Sequence, residues 1–184
     1  MTNKKFSRGG QAGIAAIISL LIVGSAVGLA IAAGDGPGQS PTTVAGQAPE
    51  TVGYVNYETP ELLLAGHAGR PLVINFFASW CAPCRAELPD LAAAHAEFGD
   101  RVDFVGVDYQ EVSEASAAKL LYETGITYPI MEDPRGALLQ ELGGLPTMPT
   151  TIFVSADSVI IERHHGLILA EQLAERIEEI IAAS

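Results

Sequence analysis

The segment Trp80-Cys81-Ala82-Pro83-Cys84 constrains the fold of this chain more than any other feature of its sequence. It follows a short continuous apolar run, residues 72–77, of the kind that a parallel sheet buries on both faces. It leads directly into residues 84–98, which have helical composition and end at a Gly-Asp pair. The sequence therefore predicts that two cysteines lie where a buried strand passes into the N-terminus of a helix.

The position of the two cysteines favours redox chemistry. A cysteine at a helix N-terminus faces unpaired backbone N–H groups and the positive end of the helix dipole, which stabilise the thiolate. Cys81 is therefore the candidate nucleophile, and Cys84, one turn further along, is placed to attack a mixed disulfide formed at Cys81. The chain has 2 cysteines in all. We therefore expect a redox-active Cys81–Cys84 disulfide, no other cofactor and no disulfide framework.

A metal centre is the alternative, because a Cys-x-x-Cys pair can supply half of a zinc site. The only clustered candidates for the other two ligands are His164 and His165. Adjacent residues of a strand point to opposite faces, so these two side chains cannot both reach one metal ion. We therefore expect no metal at the site, and we interpret all 4 histidines, including His67 and His95, as solvated or structural.

An apolar run precedes the part of the chain that carries the cysteines. Residues 12–33 contain no charged residue and have about the length of a helix that spans the hydrocarbon core of a membrane. A basic cluster precedes this run: Lys4, Lys5 and Arg8. By the positive-inside bias, residues 1–11 are predicted to be cytoplasmic, the run to be a single plasma-membrane anchor, and the rest of the chain to be extracytoplasmic. The alternative is a signal peptide cleaved near the small residues 30–32, which exports the domain equally.

Composition and charge divide the remainder of the chain. Residues 34–51 are rich in Gly, Pro, Ser and Thr and bury too little apolar surface to offset their ordering entropy, so they are predicted to be a flexible linker. Residues 52–184 are predicted to be one domain. All 22 acidic residues lie at or after Asp35, against 10 basic residues in the whole chain. This balance argues against a nucleic-acid partner, because nucleic-acid binding depends on Lys and Arg that neutralise phosphates.

Residues 52–184 show alternating helix and strand patterns that are typical of an α/β fold. Predicted helices cover residues 57–65, 84–98, 111–122, 137–142 and 169–182, and predicted strands cover residues 72–77, 101–109, 126–131, 150–154 and 159–163. The early alternation predicts parallel strands and the last two strands have hairpin spacing, so we expect a mixed sheet with helices on both faces. Pro129 marks the third strand as an edge strand. The buried stripes would be Ala115, Ala118, Leu121 and Tyr122 in helix 111–122, and Leu169, Leu173, Ile177 and Ile180 in the last helix.

Two segments carry a combined motif: Asn75 to Pro89, which reads NFFASWCAPCRAELP, and the downstream Met148-Pro149-Thr150-Thr151 before a strand. Together they resemble the membrane-anchored thioredoxin-like reductases of the TlpA/ResA type. The resemblance covers about residues 70–184 and implies a thioredoxin fold, in which residues 111–131 form an extra helix and strand.

The resemblance also implies a set of site residues. The Met148–Pro149 peptide bond would be cis and would pack against Cys81. The implied catalytic residues are Cys81, Cys84, Glu87 and Pro149, and the implied substrate-binding residues are Trp80, Pro83 and Met148. Glu87 follows Cys84 by three residues, so both side chains share one helix face and the carboxylate is a candidate for proton transfer. The alternative for Glu87 is an exposed carboxylate that merely suits the first turns of a helix.

Two positions beside the motif differ from related patterns. Asn75 stands where thioredoxin itself has an aspartate beneath the site, so a buried-aspartate proton relay is not expected. Phe77 stands where the family more often has tryptophan, which we interpret as a neutral change in packing.

The leading hypothesis is an extracytoplasmic thiol-disulfide oxidoreductase that reduces disulfides in exported proteins. The resemblance implies a role in cytochrome c maturation, with apocytochrome c as substrate and a membrane thiol carrier as electron donor. A disulfide oxidase or isomerase on the same fold is the second hypothesis, because the sequence does not set the reduction potential. A copper or zinc carrier that binds metal through Cys81 and Cys84 is the third.

Overall fold

A computed structural model describes residues 52–184 of the chain. The predicted cytoplasmic segment 1–11, the apolar run 12–33 and the linker 34–51 lie outside the described residues. Within residues 52–184, none of the helices combines the length and the apolar character that crossing a bilayer requires.

Helices and strands alternate in the predicted order. They are α1 (Pro60–Gly66), β1 (Leu72–Phe77), α2 (Ala82–Phe98), β2 (Asp103–Tyr109), α3 (Glu114–Thr124), β3 (Ile130–Asp133), α4 (Ala137–Glu141), β4 (Thr150–Val154), β5 (Ile160–His165) and α5 (Ala170–Ala182). The strands form one sheet in the order β3-β2-β1-β4-β5. Strand β2 runs parallel to β1 and β3, whereas β4 runs antiparallel to β1 and β5. The predicted mixed sheet with a closing hairpin is confirmed.

Strand β1 lies at the centre of the sheet, and all of its residues are buried. Its side chains alternate between two hydrophobic clusters. Val73 and Phe77 join the cluster formed with α2, α3 and α5, whereas Ile74 and Phe76 join the cluster formed with α1 and α4. Helices therefore cover both faces, and the burial of β1 on both sides explains its continuous apolar sequence.

Several element boundaries differ from the sequence prediction, and two of them have a clear local cause. Helix α1 begins at Pro60 rather than at residue 57, because the Thr59 side chain caps the helix by accepting a hydrogen bond from the Leu62 N–H. Strand β3 begins at Ile130 rather than at residue 126, since Pro129 cannot donate to the ladder and stands just before the strand. Its predicted position at the edge of the sheet is confirmed.

Two predicted buried stripes were partly wrong. In α3 the buried residues are Ala117, Leu120 and Leu121, whereas Ala115 and Tyr122 are exposed. The adjacent leucines offer more apolar area than the alanines, and they fix the rotation of the helix toward the core.

In α5, Leu173, Ile177 and Ile180 are buried as predicted. Leu169 is 59% exposed because it precedes the helix in an extended conformation.

Candidate active site

The two cysteines lie where β1 passes into α2, as the sequence predicts. Cys81 is the N-cap of α2, and its sulfur accepts a hydrogen bond from the Cys84 backbone N–H at 3.2 Å. The two residues are joined by a disulfide, with 5.3 Å between their Cα atoms. Cys81 is 5% exposed and Cys84 is fully buried. A partner from solution therefore has access to Cys81 and none to Cys84.

Cys81 opens into a cavity of about 390 Å³, which we call the proximal cavity. The three predicted substrate-binding side chains, Trp80, Pro83 and Met148, all line it. Three further residues that sequence reasoning missed complete its walls: Tyr109, Gln110 and Pro146. Tyr109 ends β2, the parallel neighbour of β1, and ligand sites of open α/β sheets lie at the carboxyl ends of such strands. That rule is the signal by which Tyr109 and Gln110 could have been found.

The loop before β4 carries the second predicted part of the site. The Met148–Pro149 peptide bond is cis, as the family resemblance implied. Met148 is half-buried and packs against both hydrophobic clusters, while it also lines the proximal cavity with Cys81. The Pro149 carbonyl accepts a hydrogen bond from the Gly166 N–H at 2.9 Å, and Thr150 Oγ1 donates to the Thr147 carbonyl at 2.7 Å. These contacts hold the loop against the end of β5.

Glu87 is buried, with 1% of its surface exposed, so the alternative of an exposed carboxylate is wrong. Its two carboxyl oxygens accept hydrogen bonds from Asn75 Nδ2 at 2.8 Å and from the Ile168 backbone N–H at 2.7 Å. Burial raises the pKa of Glu87 to about 7, although the hydrogen bonds from Ile168 and Asn75 oppose this rise. Near neutral pH the carboxyl group therefore populates both protonation states.

Asn75 connects Glu87 to the strand that follows the cis-proline. Its Nδ2 also donates to Thr151 Oγ1 at 3.0 Å, and Asn75 and Thr151 are paired between β1 and β4. All three side chains are buried. The Asn75 Oδ1 atom is buried without a hydrogen-bond partner, so one acceptor of this amide remains unused.

Glu111, which follows β2, holds the loop between β1 and α2 in place through hydrogen bonds to Ser79. Its carboxylate accepts hydrogen bonds from the Ser79 N–H at 2.8 Å and the Ser79 hydroxyl at 2.9 Å, and from the N–H groups of Val112 and Ser113. Burial tends to raise the pKa of Glu111, but these hydrogen bonds outweigh it and lower the pKa below its ordinary value. The predicted helix 111–122 includes Glu111, whereas α3 begins only at Glu114.

The Trp80 side chain is also tied to the neighbouring loop. It is 48% exposed, and its indole N–H donates to the Gln110 carbonyl at 3.2 Å. Asp108, two residues earlier, is 8% exposed, and burial together with the charges of Glu111 and Glu132 raises its pKa to about 7. The sequence indicates Asp108 only as part of the predicted strand 101–109.

Two of the histidines, His67 and His95, make structural contacts. His67 Nδ1 lies 2.8 Å from Asp103 Oδ2, which stands at the start of β2, the end opposite to the cysteines. His95 packs edge-on against Phe104 and Tyr128, and burial lowers its pKa. Within residues 52–184, no three His, Cys, Asp or Glu side chains are arranged to hold a metal ion.

A thioredoxin-type sheet with a Cys-x-x-Cys disulfide at the N-terminus of α2 and a cis-proline before β4 defines a thiol-disulfide oxidoreductase. Comparison with known proteins gives the same class. Residues 45–163 match the AhpC/TSA family, and the chain belongs to that family.

Individual relatives carry related names. The chain is 31% identical over 156 residues to the thiol:disulfide interchange protein DsbE homolog of Paracoccus denitrificans, which covers 81% of this chain and 84% of the relative. It is 24% identical over 165 residues to the thiol-disulfide oxidoreductase ResA of Bacillus cereus, with 89% of this chain and 94% of the relative covered. Among solved structures, a DsbF homologue from Corynebacterium diphtheriae is 30% identical with a TM-score of 0.56, over 63% of this chain and 75% of that one.

Proposed function

We propose that this thiol-disulfide oxidoreductase works outside the cytoplasm as a reductase of protein disulfides. One observation carries the exchange chemistry of this proposal: Cys81 lines an open cavity, while its disulfide partner Cys84 is fully buried. The direction of the exchange rests on the resemblance to the TlpA/ResA-type reductases. A substrate disulfide can reach one sulfur only, which is the asymmetry that a two-step exchange requires.

The exchange starts from the reduced protein. The Cys81 thiolate attacks one sulfur of the substrate disulfide, that S–S bond breaks, and the departing substrate sulfur takes up a proton. Cys84 then loses its proton and attacks the Cys81 sulfur, which forms the Cys81–Cys84 disulfide and releases the second substrate thiol. Two electrons and two protons pass to the substrate. A membrane-bound dithiol would return the protein to its reduced form.

Glu87 is proposed to accept the proton that Cys84 loses. Cys84 is fully buried, so its proton cannot pass directly to water. Glu87 lies one turn further along the same face of α2, and its pKa of about 7 keeps a share of the group ionised at neutral pH. Once the carboxyl group is protonated, a 180° rotation of the Asn75 amide would turn its unpartnered Oδ1 toward the Glu87 hydroxyl and provide an acceptor.

The cellular setting is proposed from the sequence. The apolar run 12–33 would anchor the domain in the plasma membrane, and the basic cluster Lys4, Lys5 and Arg8 would keep residues 1–11 in the cytoplasm. The resemblance to the TlpA/ResA type supports apocytochrome c as the substrate and a membrane thiol carrier as the donor.

A trapping experiment tests the proposed chemistry. Cys84→Ser should accumulate mixed disulfides with exported proteins, apocytochrome c among them, because Cys81 can attack and cannot be released. The matched control Cys81→Ser should accumulate none. Equal trapping by the two variants, on diagonal non-reducing gels, would contradict the assigned roles. A reduction potential of about −180 mV or above would favour the oxidase or isomerase alternative.

A protease experiment tests the proposed location. Protease added to cells with a permeabilised outer barrier should digest residues 52–184 and spare a short N-terminal fragment. A domain that stays intact would contradict the proposed orientation. Recovery of the domain in the soluble exported fraction, with a new N-terminus near residue 33, would instead identify a cleaved signal peptide.

A further inference from the structure

The proximal cavity lies beside a second cavity of about 440 Å³, which we call the distal cavity. Tyr109 and Pro146 line both cavities, so the two adjoin along a shared wall. The distal cavity also has Arg135 and Gln140 in its lining, one from just before α4 and one from within it. Cys81 and the cation Arg135 therefore line neighbouring cavities with Tyr109 and Pro146 between them, and we call these two cavities together the groove.

Arg135 differs from the other basic side chains of residues 52–184 in having no partner. Each of the others makes an ion pair or a hydrogen bond: Arg70 with Asp103, Arg85 with the Ser79 carbonyl, Arg101 with Glu178, Lys119 with Glu123, Arg163 with the Leu142 carbonyl, and Arg176 with Glu162 and Glu179. Arg135 is exposed and makes neither kind of contact within the described residues. Arg135 also lines a cavity with Glu58 and Glu141, but it forms no ion pair with either of them. Its guanidinium donors are therefore available to a ligand, in a chain whose formal net charge is −12.

We infer that Arg135 is a specificity-determining residue that binds a carboxylate of the substrate polypeptide, at a position a few residues from the disulfide that reacts with Cys81. The inference rests on the proposed function and names the class of polypeptide that the site prefers. A guanidinium group binds a carboxylate through two parallel hydrogen bonds, and the Gln140 amide stands in the same cavity to add another. Tyr109 and Pro146 provide the apolar wall along which the intervening segment lies.

Charge complementarity supports this occupant. The acidic surface of the domain repels an acidic segment from most orientations, whereas Arg135 attracts a single carboxylate at one end of the groove. The carboxylate thus fixes the direction in which the polypeptide enters. Anionic lipids and nucleic acids do not fit this arrangement, because the adjoining proximal cavity must hold a polypeptide disulfide for the chemistry to proceed.

The test compares matched peptide disulfides. Each peptide holds one Cys-x-x-Cys disulfide and a single Asp at a varied distance on either side, and its control holds Asn at the same position. The reduced full-length protein should reduce the Asp peptide about five-fold faster than its Asn match at one placement. This ratio should fall to about one in Arg135→Ala. Arg135→Glu should instead reduce a peptide with Lys at that position faster than the Asp peptide.

Two controls separate binding from chemistry and from overall charge. The uncharged 2-hydroxyethyl disulfide should be reduced at one rate by wild type and by both Arg135 variants, since it does not reach the distal cavity. Lys119→Ala removes one positive charge from α3 and should keep the Asp preference.

Each contrary result has a distinct meaning. Equal rates for Asp and Asn at every placement, or an Asp preference that survives in Arg135→Ala, would overturn the inference while the proposed function stands. Loss of the preference in Lys119→Ala as well would also overturn it, because the effect would then come from overall charge. A wild-type protein that reduces neither the peptides nor 2-hydroxyethyl disulfide would refute the proposed function, and the inference with it.

Discussion

Glu87 is an ionisable group that the fold buries almost completely, and Glu87→Gln tests what this burial costs. In the unfolded chain the carboxyl group ionises near its ordinary pKa of 4.5, whereas burial raises its pKa to about 7 in the folded protein. Between these two pH values the folded state holds a proton that the unfolded state has released. The free energy of unfolding therefore falls as the pH rises through this range.

The size of this effect follows from the two pKa values. Moving the pKa from 4.5 to about 7 corresponds to a loss of about 3 kcal/mol of stability once the pH exceeds the upper value. Below the lower value the loss is absent, because both states are protonated. The hydrogen bonds from Ile168 and Asn75 already lower the pKa of Glu87. The loss of about 3 kcal/mol is therefore the part of the cost of burial that these bonds do not offset.

The glutamine amide of Glu87→Gln is neutral at every pH and matches the shape of the carboxyl group. Its oxygen can accept from the Ile168 N–H. A 180° rotation of the Asn75 amide exchanges Nδ2, which faces residue 87 in the wild type, for the unpartnered Oδ1, which can then accept from the glutamine NH₂. We therefore expect wild type and Glu87→Gln to have similar stability below pH 4.5. Above about pH 7 the variant should be more stable, by up to about 3 kcal/mol.

Urea denaturation of the oxidised full-length protein measures this difference. Trp80, the only tryptophan, reports unfolding, and the disulfide removes both thiols from titration. The difference between wild type and variant cancels the contribution of Asp108, whose pKa burial also raises to about 7. The matched control Glu97→Gln changes an exposed carboxylate on the same helix and should leave the pH profile unaltered. Parallel profiles for wild type and Glu87→Gln would refute the reasoning.

Three further predictions concern the thiols and the fold. In the reduced protein, Glu87→Gln should lower the apparent pKa of the thiols by on the order of one unit, since a carboxylate disfavours a nearby thiolate. Iodoacetamide alkylation between about pH 5 and 10 measures it, and superimposable profiles would contradict it. Gly106→Ala should lose about 1–3 kcal/mol in urea denaturation, because the added Cβ would lie 2.5 Å from Ile130 Cδ1; an unchanged midpoint would show that the sheet adjusts. Ser113→Ala should lose about 1 kcal/mol by the same measurement, since Ser113 caps α3, and no loss would mean that water replaces the cap.

Local sequence signals were sufficient for the central part of the fold. The bounds of β1 follow from a continuous apolar run between a proline and a small-residue loop, because only a strand buried on both faces needs such a run. The Cys-x-x-Cys motif stands directly between this strand and a segment of helical composition, and this order along the chain places Cys81 at the start of α2. The rotation of α3 was not predictable in this way, since it depends on which neighbours Leu120 and Leu121 meet.

Contacts between distant parts of the chain could not be predicted from local pattern. The Glu87 carboxyl group receives one hydrogen bond from Asn75 and another from Ile168, which is 81 residues further along the chain. Periodicity shows only that Glu87 shares a helix face with Cys84. Whether that face is covered depends on where the loop before α5 runs, and the sequence gives no spacing rule for that loop.

Asn75 sets the environment in which the buried carboxyl group of Glu87 titrates. An aspartate at this position would put a second ionisable group within hydrogen-bond distance of Glu87, since Asn75 Nδ2 lies 2.8 Å away. Two carboxyl groups so close cannot both ionise, and each would hold the pKa of the other away from neutrality. The asparagine instead donates to Glu87, which counters part of the rise caused by burial and leaves a single group that titrates at about 7. The aspartate that thioredoxin has on β1 is absent here, as the sequence indicates, and the carboxyl group that we propose as proton acceptor lies instead on α2, where an amide on β1 donates to it.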